Sequence, residues 1–498
     1  MLKDLYNLAT YKVQFEANKF MAAVHEQKRH FEAAGYGRRT ESWYRKTGGP
    51  TSDTQKGLRL LRGMSRDLVR NNPYAQRAIT VIATNTVGSG IRPSFKGTRA
   101  KAIKKKWGEW AGSSSCDFYG NLNLYGLQEQ VMRAVAESGD ALIVRRWNQN
   151  SAVGFDLQIL EADFLDETKT MRLDGPDPGF ILQGVQFDSR GRKTGYWLYE
   201  EHPTEVAKTN SHPSRFVPAS EVIHVFEALR PGQVRGIPMG VSAFIRIKDY
   251  DKFQDAQLHQ QMVAACFVAM VTNTNPIPAG MQGGYSGLNQ PELELTERLE
   301  PGVIQELPYG RDVKFSQPPS VSGSDVFSLT VLRAIAGGYN ITYEALANDY
   351  SNVNFSSGRM GWLEFARVVT SWQDRLMVTQ FCQKVYTWFE EGLQIMEGFR
   401  PSTKTDVTWT VPRREMIDPL KEGAAIIADI KAGLQSRQEA LRQKGYDPDD
   451  VNAEIAEDML AAEILNALFS TDVKYRPEDK AKPAGATVKP QATKVQKK

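Results

Sequence analysis

Five groupings in this chain have residue types and spacings that could do chemistry. Glu161-Ala-Asp163 sets two carboxylates two residues apart, and Asp447-Pro-Asp-Asp450 sets three within four positions. Paired carboxylates can hold divalent metals and activate water against a phosphodiester, the chemistry of a two-metal nuclease. His224 and Glu227 are three apart, a spacing that brings two ligands together on a helix. Gly88-Ser-Gly90 could open a phosphate-cradling turn, and Gly240-Val-Ser242 could begin a nucleophile elbow.

Each grouping weakens when its surroundings are read. No basic or histidine partner accompanies Glu161 and Asp163 in the sequence. His224 and Glu227 fall on a segment that reads as a strand running into a turn, where that spacing does not converge, so His224 reads as a structural histidine. Gly90 is followed by Ile-Arg-Pro, which breaks the dinucleotide fingerprint and the helix it needs, and Gly240-Val-Ser242-Ala-Phe244 lacks the closing glycine. There is no G-x-x-x-x-G-K-[ST] loop, so ATP hydrolysis is not expected, and the six histidines do not form H-E-x-x-H. The sequence therefore points to no catalytic residue, no metal and no cofactor. Cys116, Cys266 and Cys382 lie far apart without metal-ligand spacing and read as small buried apolar residues in a reduced, cytoplasmic setting.

The elements that would carry these residues are mixed. Leu58, Leu61, Met64 and Leu68 recur at helical spacing over 57–85. A short basic helix is predicted over 101–110, with Lys104-Lys-Lys106 as a solvated face. A helix over 127–138 precedes short strands at 141–147, 155–160, 179–187, 193–199 and 222–226, with a hairpin turn at Asp188-Ser-Arg-Gly191. One long helix is expected over 240–271, with Ile247, Tyr250 and Phe253 forming an apolar stripe and Asp251, Asp255 and His259 on another face. Residues 273–301 are rich in Gly, Pro and Asn and read as irregular. Short strands follow at 302–306 and 313–315, then helices at 327–336 and 359–391, a strand at 405–411 and helices over 419–468.

The chain has 498 residues, enough for more than one domain, and no apolar run approaches the roughly 18 residues of a membrane span. Its N-terminus lacks the apolar core of a signal peptide. The net charge of +4 conceals a polarity. Residues 1–110 hold 22 Lys and Arg against 8 Asp and Glu, whereas residues 111–412 hold 25 against 35. Residues 413–470 hold 7 against 12, and 471–498 hold 8 against 3. Basic ends thus flank an acidic body, which is not built to grip phosphates. The arm over 1–56 reads as exposed with one or two helices, and the Lys/Pro/Ala-rich tail reads as disordered.

The most informative stretch is Tyr343-Glu-Ala-Leu-Ala-Asn-Asp-Tyr350-Ser-Asn-Val-Asn-Phe355-Ser-Ser-Gly-Arg359. Its middle is a turn-forming polar loop between helical segments, yet it carries two aromatics that a plain connector does not need. This stretch resembles a segment of the lambda-type portal proteins of tailed bacteriophages. So does Arg66-Asp-Leu-Val-Arg-Asn71-Asn-Pro-Tyr-Ala with the later Val-Gly88-Ser-Gly-Ile turn. So do Ile417-Asp-Pro-Leu-Lys-Glu422, Gly433-Leu-Gln-Ser436 and Gly445-Tyr-Asp447, with weaker echoes at 107–117 and at Glu161-Ala-Asp163. The resemblance covers most of 57–460, in order.

The resemblance implies a multidomain α+β portal fold, assembled as a ring, typically of twelve copies, at one capsid vertex. Its parts would be a basic arm (1–56), a wing (57–238), a stem helix (239–268), a clip (269–315), a return stem helix (316–337), a channel loop (338–358), a wing helix and strand (359–412), a helical crown (413–470) and the tail (471–498). Double-stranded DNA would pass through the channel during packaging and ejection. The terminase large subunit, the major capsid and scaffolding proteins and the head–tail connector proteins would be partners, with assembly in the host cytoplasm and no membrane. Asp349, Tyr350, Ser351, Asn352, Asn354 and Phe355 would face the DNA, and Asp251 and Asp255 would form an acidic stem face. Two other readings stay open: a head-assembly protein that is not the portal, and a metal-dependent packaging nuclease.

Overall fold

Asn72 decides the first turn of the fold. The single helix expected over 57–85 is two helices, α1 (Leu58–Asn71) and α2 (Pro73–Val87), because Pro73 disfavours helical backbone at Asn72. Asn72 is extended, and its side-chain oxygen accepts from the amides of Tyr74 and Ala75 at 3.0 and 3.2 Å, capping α2. This computed structural model describes residues 14, 16, 48–55, 57–97, 99–175, 178–204, 213–265, 269–273, 311–315, 324–398, 406–412 and 418–464. The chain divides into two units, Met1–Asp53 and Thr54–Lys498, and the elements below belong to the second. Most of the expected arm, nearly all of the clip including the strand at 302–306, Cys266 and the tail lie outside the described residues.

Beyond α2, Gly88 and Gly90 adopt positive φ of 47° and 103°, turning the chain into β1 (Arg92–Lys96). Then come α3 (Ala100–Gly112), α4 (Leu124–Ser138), β2 (Asp140–Trp147) and β3 (Phe155–Glu161). The strand expected over 179–187 is a hairpin. Gln183 and Gly184 take φ of 49° and 80° and separate β5 (Phe180–Leu182) from β6 (Val185–Phe187). With β4 (Met171–Arg172), β7 (Lys193–Leu198) and β8 (Arg215–Pro218) they form an antiparallel five-stranded sheet. β9 (Val222–Phe226) joins β3 and β2 in a second sheet, ordered β3-β2-β9.

Strand β2 shows why the two sheets stack. Ala141 and Ile143 belong to the main core, while Leu142 and Val144 belong to a smaller core with Val185, Tyr196 and Leu198. Side chains alternate along a strand, so a strand buried on both faces must be apolar at successive positions.

The helix expected over 240–271 is shorter. α5 runs Phe244–Ala265, and Ala269–Asn273 is a strand, β10, paired antiparallel with β11 (Arg311–Phe315). Then come α6 (Ser324–Gly338), α7 (Tyr343–Ala347) and α8 (Phe355–Trp372). A ten-residue π-helix, Gln373–Cys382, connects α8 to α9 (Gln383–Glu397). Thr379 Oγ1 donates to the Asp374 carbonyl five residues back at 2.6 Å, as the wider turn requires. Gln380 exchanges two hydrogen bonds of 3.1 Å with the Phe226 backbone, and Gln373 donates to the Thr86 carbonyl at 2.9 Å. Both amides thus pin the segment to β9 and α2.

The main core gathers on these helices. The Trp107 ring lies 4.9 Å from Phe389 and 5.6 Å from Trp110, and Trp110 lies 5.4 Å from Phe155. One aromatic cluster therefore locks α3, α9 and β3 together. β12 (Asp406–Thr410) pairs antiparallel with β1. The C-terminal helices α10 (Pro419–Lys431), α11 (Arg437–Gln443) and α12 (Pro448–Ile464) complete the described chain.

Candidate channel loop and its supports

The loop is built from both ends by hydrogen bonds its own sequence provides. Thr342 caps α7, its hydroxyl accepting from the Ala345 amide at 3.2 Å. The helix ends on Asn348 in the left-handed region (φ 53°), whose amide donates to the Glu344 carbonyl at 2.9 Å. At the far end Asn354 and Ser357 form a reciprocal cap for α8: Asn354 Oδ1 accepts from the Ser357 amide at 2.8 Å, and the Ser357 hydroxyl accepts from the Asn354 amide at 3.2 Å. Helix α8 therefore starts at Phe355, and the irregular part of the loop is 348–354, shorter than 348–358.

Between these caps the carboxylate of Asp349 is turned inward. It accepts from the Tyr343 hydroxyl at 2.8 Å and from the amide and hydroxyl of Ser351 at 3.0 and 2.6 Å. The Ser351 hydroxyl foremost, then Tyr343, hold Asp349 below the usual carboxylate range. Burial and the Asp349 carboxylate together push the Tyr343 phenol up to about 12. The Val353 amide closes the turn onto the Tyr350 carbonyl at 3.2 Å.

These bonds leave the aromatics outside. Tyr350 is 62% exposed and Phe355 54% exposed, so neither fills the body of the subunit. Ser351, Asn352 and Asn354 are exposed too, although Asn354 spends its side chain on the cap. Of the six residues singled out in the loop, Asp349 alone is half-buried.

The two carboxylates singled out on α5 differ. Asp255 is exposed, whereas Asp251 is half-buried and accepts from the Asn72 side-chain amide at 3.4 Å. The same neighbourhood reaches the loop: Arg77, one turn along α2, donates through Nε to the Ala345 carbonyl at 3.1 Å and through Nη2 to Asn348 Oδ1 at 2.8 Å. α5 and the loop thus both meet the first two turns of α2 and its cap. Sequence reading singled out the Asn72-Pro-Tyr motif but not Arg77, whose partners lie 268 and 271 residues away.

The acidic pair Glu161 and Asp163 has the partners its sequence neighbourhood lacks. Arg66 lies 2.7 Å from Glu161 and 2.6 Å from Asp163, Arg62 lies 3.3 Å from Asp163, and His202 lies 3.6 Å from Glu161. Glu161, Asp163 and His202 come close enough to share one ion, but the two guanidiniums already neutralise the carboxylates. Arg62 also pairs with Glu167, which lies 3.6 Å from the fully buried Arg235. Arg235 Nε donates to Asp140 at 2.5 Å, and His224 Nε2 lies 3.1 Å from the same oxygen. His224 is therefore a structural histidine in a buried ion network. Its partner is Asp140, not Glu227.

Residues 36–373 match the family described as phage portal protein, lambda family, and the chain belongs to that family. It is a portal subunit, part of the channel for packaging phage DNA. It is 25% identical over 454 residues to the probable portal protein of Halomonas phage phiHAP-1, covering 86% of each chain. It is 24% identical over 479 residues to portal protein B of Escherichia phage lambda, covering 85% of this chain and 88% of that one. Among solved structures, the fold is similar to a chain from the neck of a native gene transfer agent particle, with a TM-score of 0.47 and 15% identity over 81% of this chain and 96% of that one.

Proposed function

We propose that copies of this chain close into a ring, on the order of twelve by family resemblance, with the 348–354 loop directed at the DNA in the channel. The observation that carries this reading is the outward exposure of Tyr350 and Phe355 on a loop whose fold is secured by its own caps and turns. Their rings are available to touch a passing duplex. The acidic body suits a conduit, because a wall that releases few counterions on contact does not retain the polyanion. Asp255, exposed on α5, contributes to such a wall. Large apolar side chains exposed on the same helices, among them Leu258 and Met262 on α5, Phe327 on α6 and Met360 and Leu363 on α8, suit burial between neighbouring copies.

The ring sits at one capsid vertex after assembly in the host cytoplasm. The terminase large subunit docks on it during packaging, the major capsid and scaffolding proteins surround it, and head–tail connector proteins follow. Packaging energy comes from that partner ATPase. The portal itself neither hydrolyses ATP nor cuts DNA, and Arg62 and Arg66 on Asp163 support this reading. No described helix is long and apolar enough to cross a membrane.

Replacing Tyr350 or Phe355 with Ala tests the loop. At exposed positions the stability change stays within about 0.5 kcal/mol, rings form normally, and packaging or retention of DNA falls. A buried Phe would instead cost roughly 3–5 kcal/mol. A Phe355→Ala protein that melts far lower and yields no rings overturns the assignment. Native mass spectrometry showing only monomer or dimer across several salts overturns the ring. DNA cleavage abolished by Asp163→Ala would restore the nuclease.

A further inference from the structure

The motif around Asn72 has a use that the channel reading does not absorb. Within two turns, α2 offers contacts in two directions. Toward the stem, the Asn72 amide nitrogen donates to Asp251 at 3.4 Å, and the Tyr74 ring lies 5.8 Å from Tyr250. Tyr250 in turn stacks on Phe253 at 6.2 Å, and Phe253 packs on Phe327 of α6 at 4.8 Å. Toward the loop, Arg77 grips the end of α7. Its Nε satisfies the Ala345 carbonyl, one of those a helix C-terminus leaves without an intrahelical donor. Its Nη2 holds the side chain of Asn348, the residue that takes the left-handed turn into the loop. A cation at a helix C-terminus is also favoured by the helix dipole.

We propose that the turn from Asn72 to Arg77 is a coupling node that passes displacements of the stem helix α5 to the channel loop, with Arg77 as the residue that positions the loop. The physical reason is rigidity. Asn72 cannot shift toward Asp251 without disturbing the cap of α2, because one side chain does both. Arg77 rides on that capped turn, and its planar guanidinium makes two bonds of fixed relative direction, so movement of α2 carries Ala345 and Asn348 with it. The loop beyond is closed by short local bonds and moves as a unit. What the moving loop does to DNA rests on the channel reading; the coupling does not.

Hydrogen–deuterium exchange on the full-length protein tests the node, read at the amides of Asn348, Ser351 and Val353 and along α5. Arg77→Ala is expected to raise exchange at the three loop amides about tenfold, as loss of two charge-assisted bonds implies. Arg77→Lys restores only part of the protection, since an ammonium cannot span both acceptors. Asn72→Ser keeps a hydroxyl cap for α2 but removes the donor to Asp251, and Asp251→Ala removes the same bond from the other side. Both are expected to raise exchange in α5 and in the loop together. A change confined to α5 in both variants overturns the coupling, and unchanged loop exchange in Arg77→Ala overturns the positioning role. Exchange is read on whatever oligomer forms, so a missing ring counts against the ring and not against the node.

Discussion

The Lys104 ammonium lies 2.6 Å from the carboxylate of Asp447 and 2.5 Å from that of Asp450. The Ser94 hydroxyl donates to the other Asp447 oxygen at 3.3 Å, and the Asp449 amide donates to that same oxygen at 3.0 Å. Asp447 therefore starts α12 and fastens it to α3 and β1 at once. The acidic run Asp447–Asp450 is a docking point, and one lysine of the basic helix face is its counterpart. The contact matters because the C-terminal helices bury little else: no residue of α10, Ala440 in α11, Pro448 and Ala462 in α12.

Lys104→Met is expected to loosen residues 437–464 while leaving the body intact. The ammonium is partly exposed, so the bridge contributes about 1 kcal/mol and is screened by salt. Limited proteolysis should cut the C-terminal helices several-fold faster in the variant, and high salt should bring the unaltered protein toward the same rate. Equal cleavage of both proteins at low salt would show that the helices are held elsewhere.

Acid should destabilise the fold through two buried groups. Burial alone would raise the Asp140 pKa, but the Arg235 guanidinium overrides it and holds the carboxyl below its usual range. Burial pushes His224 from 6.5 down to about 4, against the pull of Asp140. Both folded values lie below the unfolded ones, so the unfolded chain takes up more protons on acidification. The His224 contribution is present above pH 6.5 and is lost as pH falls toward 4; that of Asp140 is lost below the ordinary carboxylate range. Urea midpoints should drop between pH 7 and 5, with a shallower drop in His224→Gln. Asp140→Ala takes from the buried Arg235 its nearest carboxylate, leaving Glu167 at 3.6 Å and the Ala162 carbonyl, and should cost roughly 3 kcal/mol.

Gln128→Leu should destabilise the protein by roughly 2–3 kcal/mol, because two buried backbone groups lose their partner. Gln128 acts as a short strand for Ile91, accepting from its amide at 2.7 Å and donating to its carbonyl at 3.0 Å. Gln128→Glu loses the donor and buries a carboxylate against the Ile91 carbonyl, so at pH 7 its loss should exceed that of Gln128→Leu. Calorimetry on the two variants checks the order.

Where local chemistry decided the fold, the sequence was readable. The start of α1, the helix α4 and the short strands β2, β3 and β9 could be placed within a few residues, and the Val-Gly-x-Gly-Ile turn followed from two glycines with positive φ. The polar loop was legible through its Asn, Asp and Ser content. Errors came where a neighbour decides. Gln183 takes φ 49° because the five-stranded sheet needs a hairpin there, and no Asn-Gly announced it. The π-helix has no signature in composition; Gln373 and Gln380 hold it from across the fold. Asp251 read as a free acid because its partner, Asn72, lies 179 residues earlier. The Arg62 and Arg66 partners of Asp163 were hidden in the same way, 101 and 97 residues away.

The pairing of β1 with β12 also sets when a subunit becomes complete. Thr408 donates to the Ser94 carbonyl across 314 positions of chain, so the ladder closes one of the longest loops in the molecule. At about 5–20 residues per second, β1 waits roughly 15–60 s on the ribosome for its partner strand. Until then its edge is open, and pairing that distant strand is slow because the entropy of closing the loop comes first. The finished body thus exists only after nearly all of the chain has been made. A chain cut short before residue 406 therefore lacks the partner strand of β1 and leaves that edge open for good.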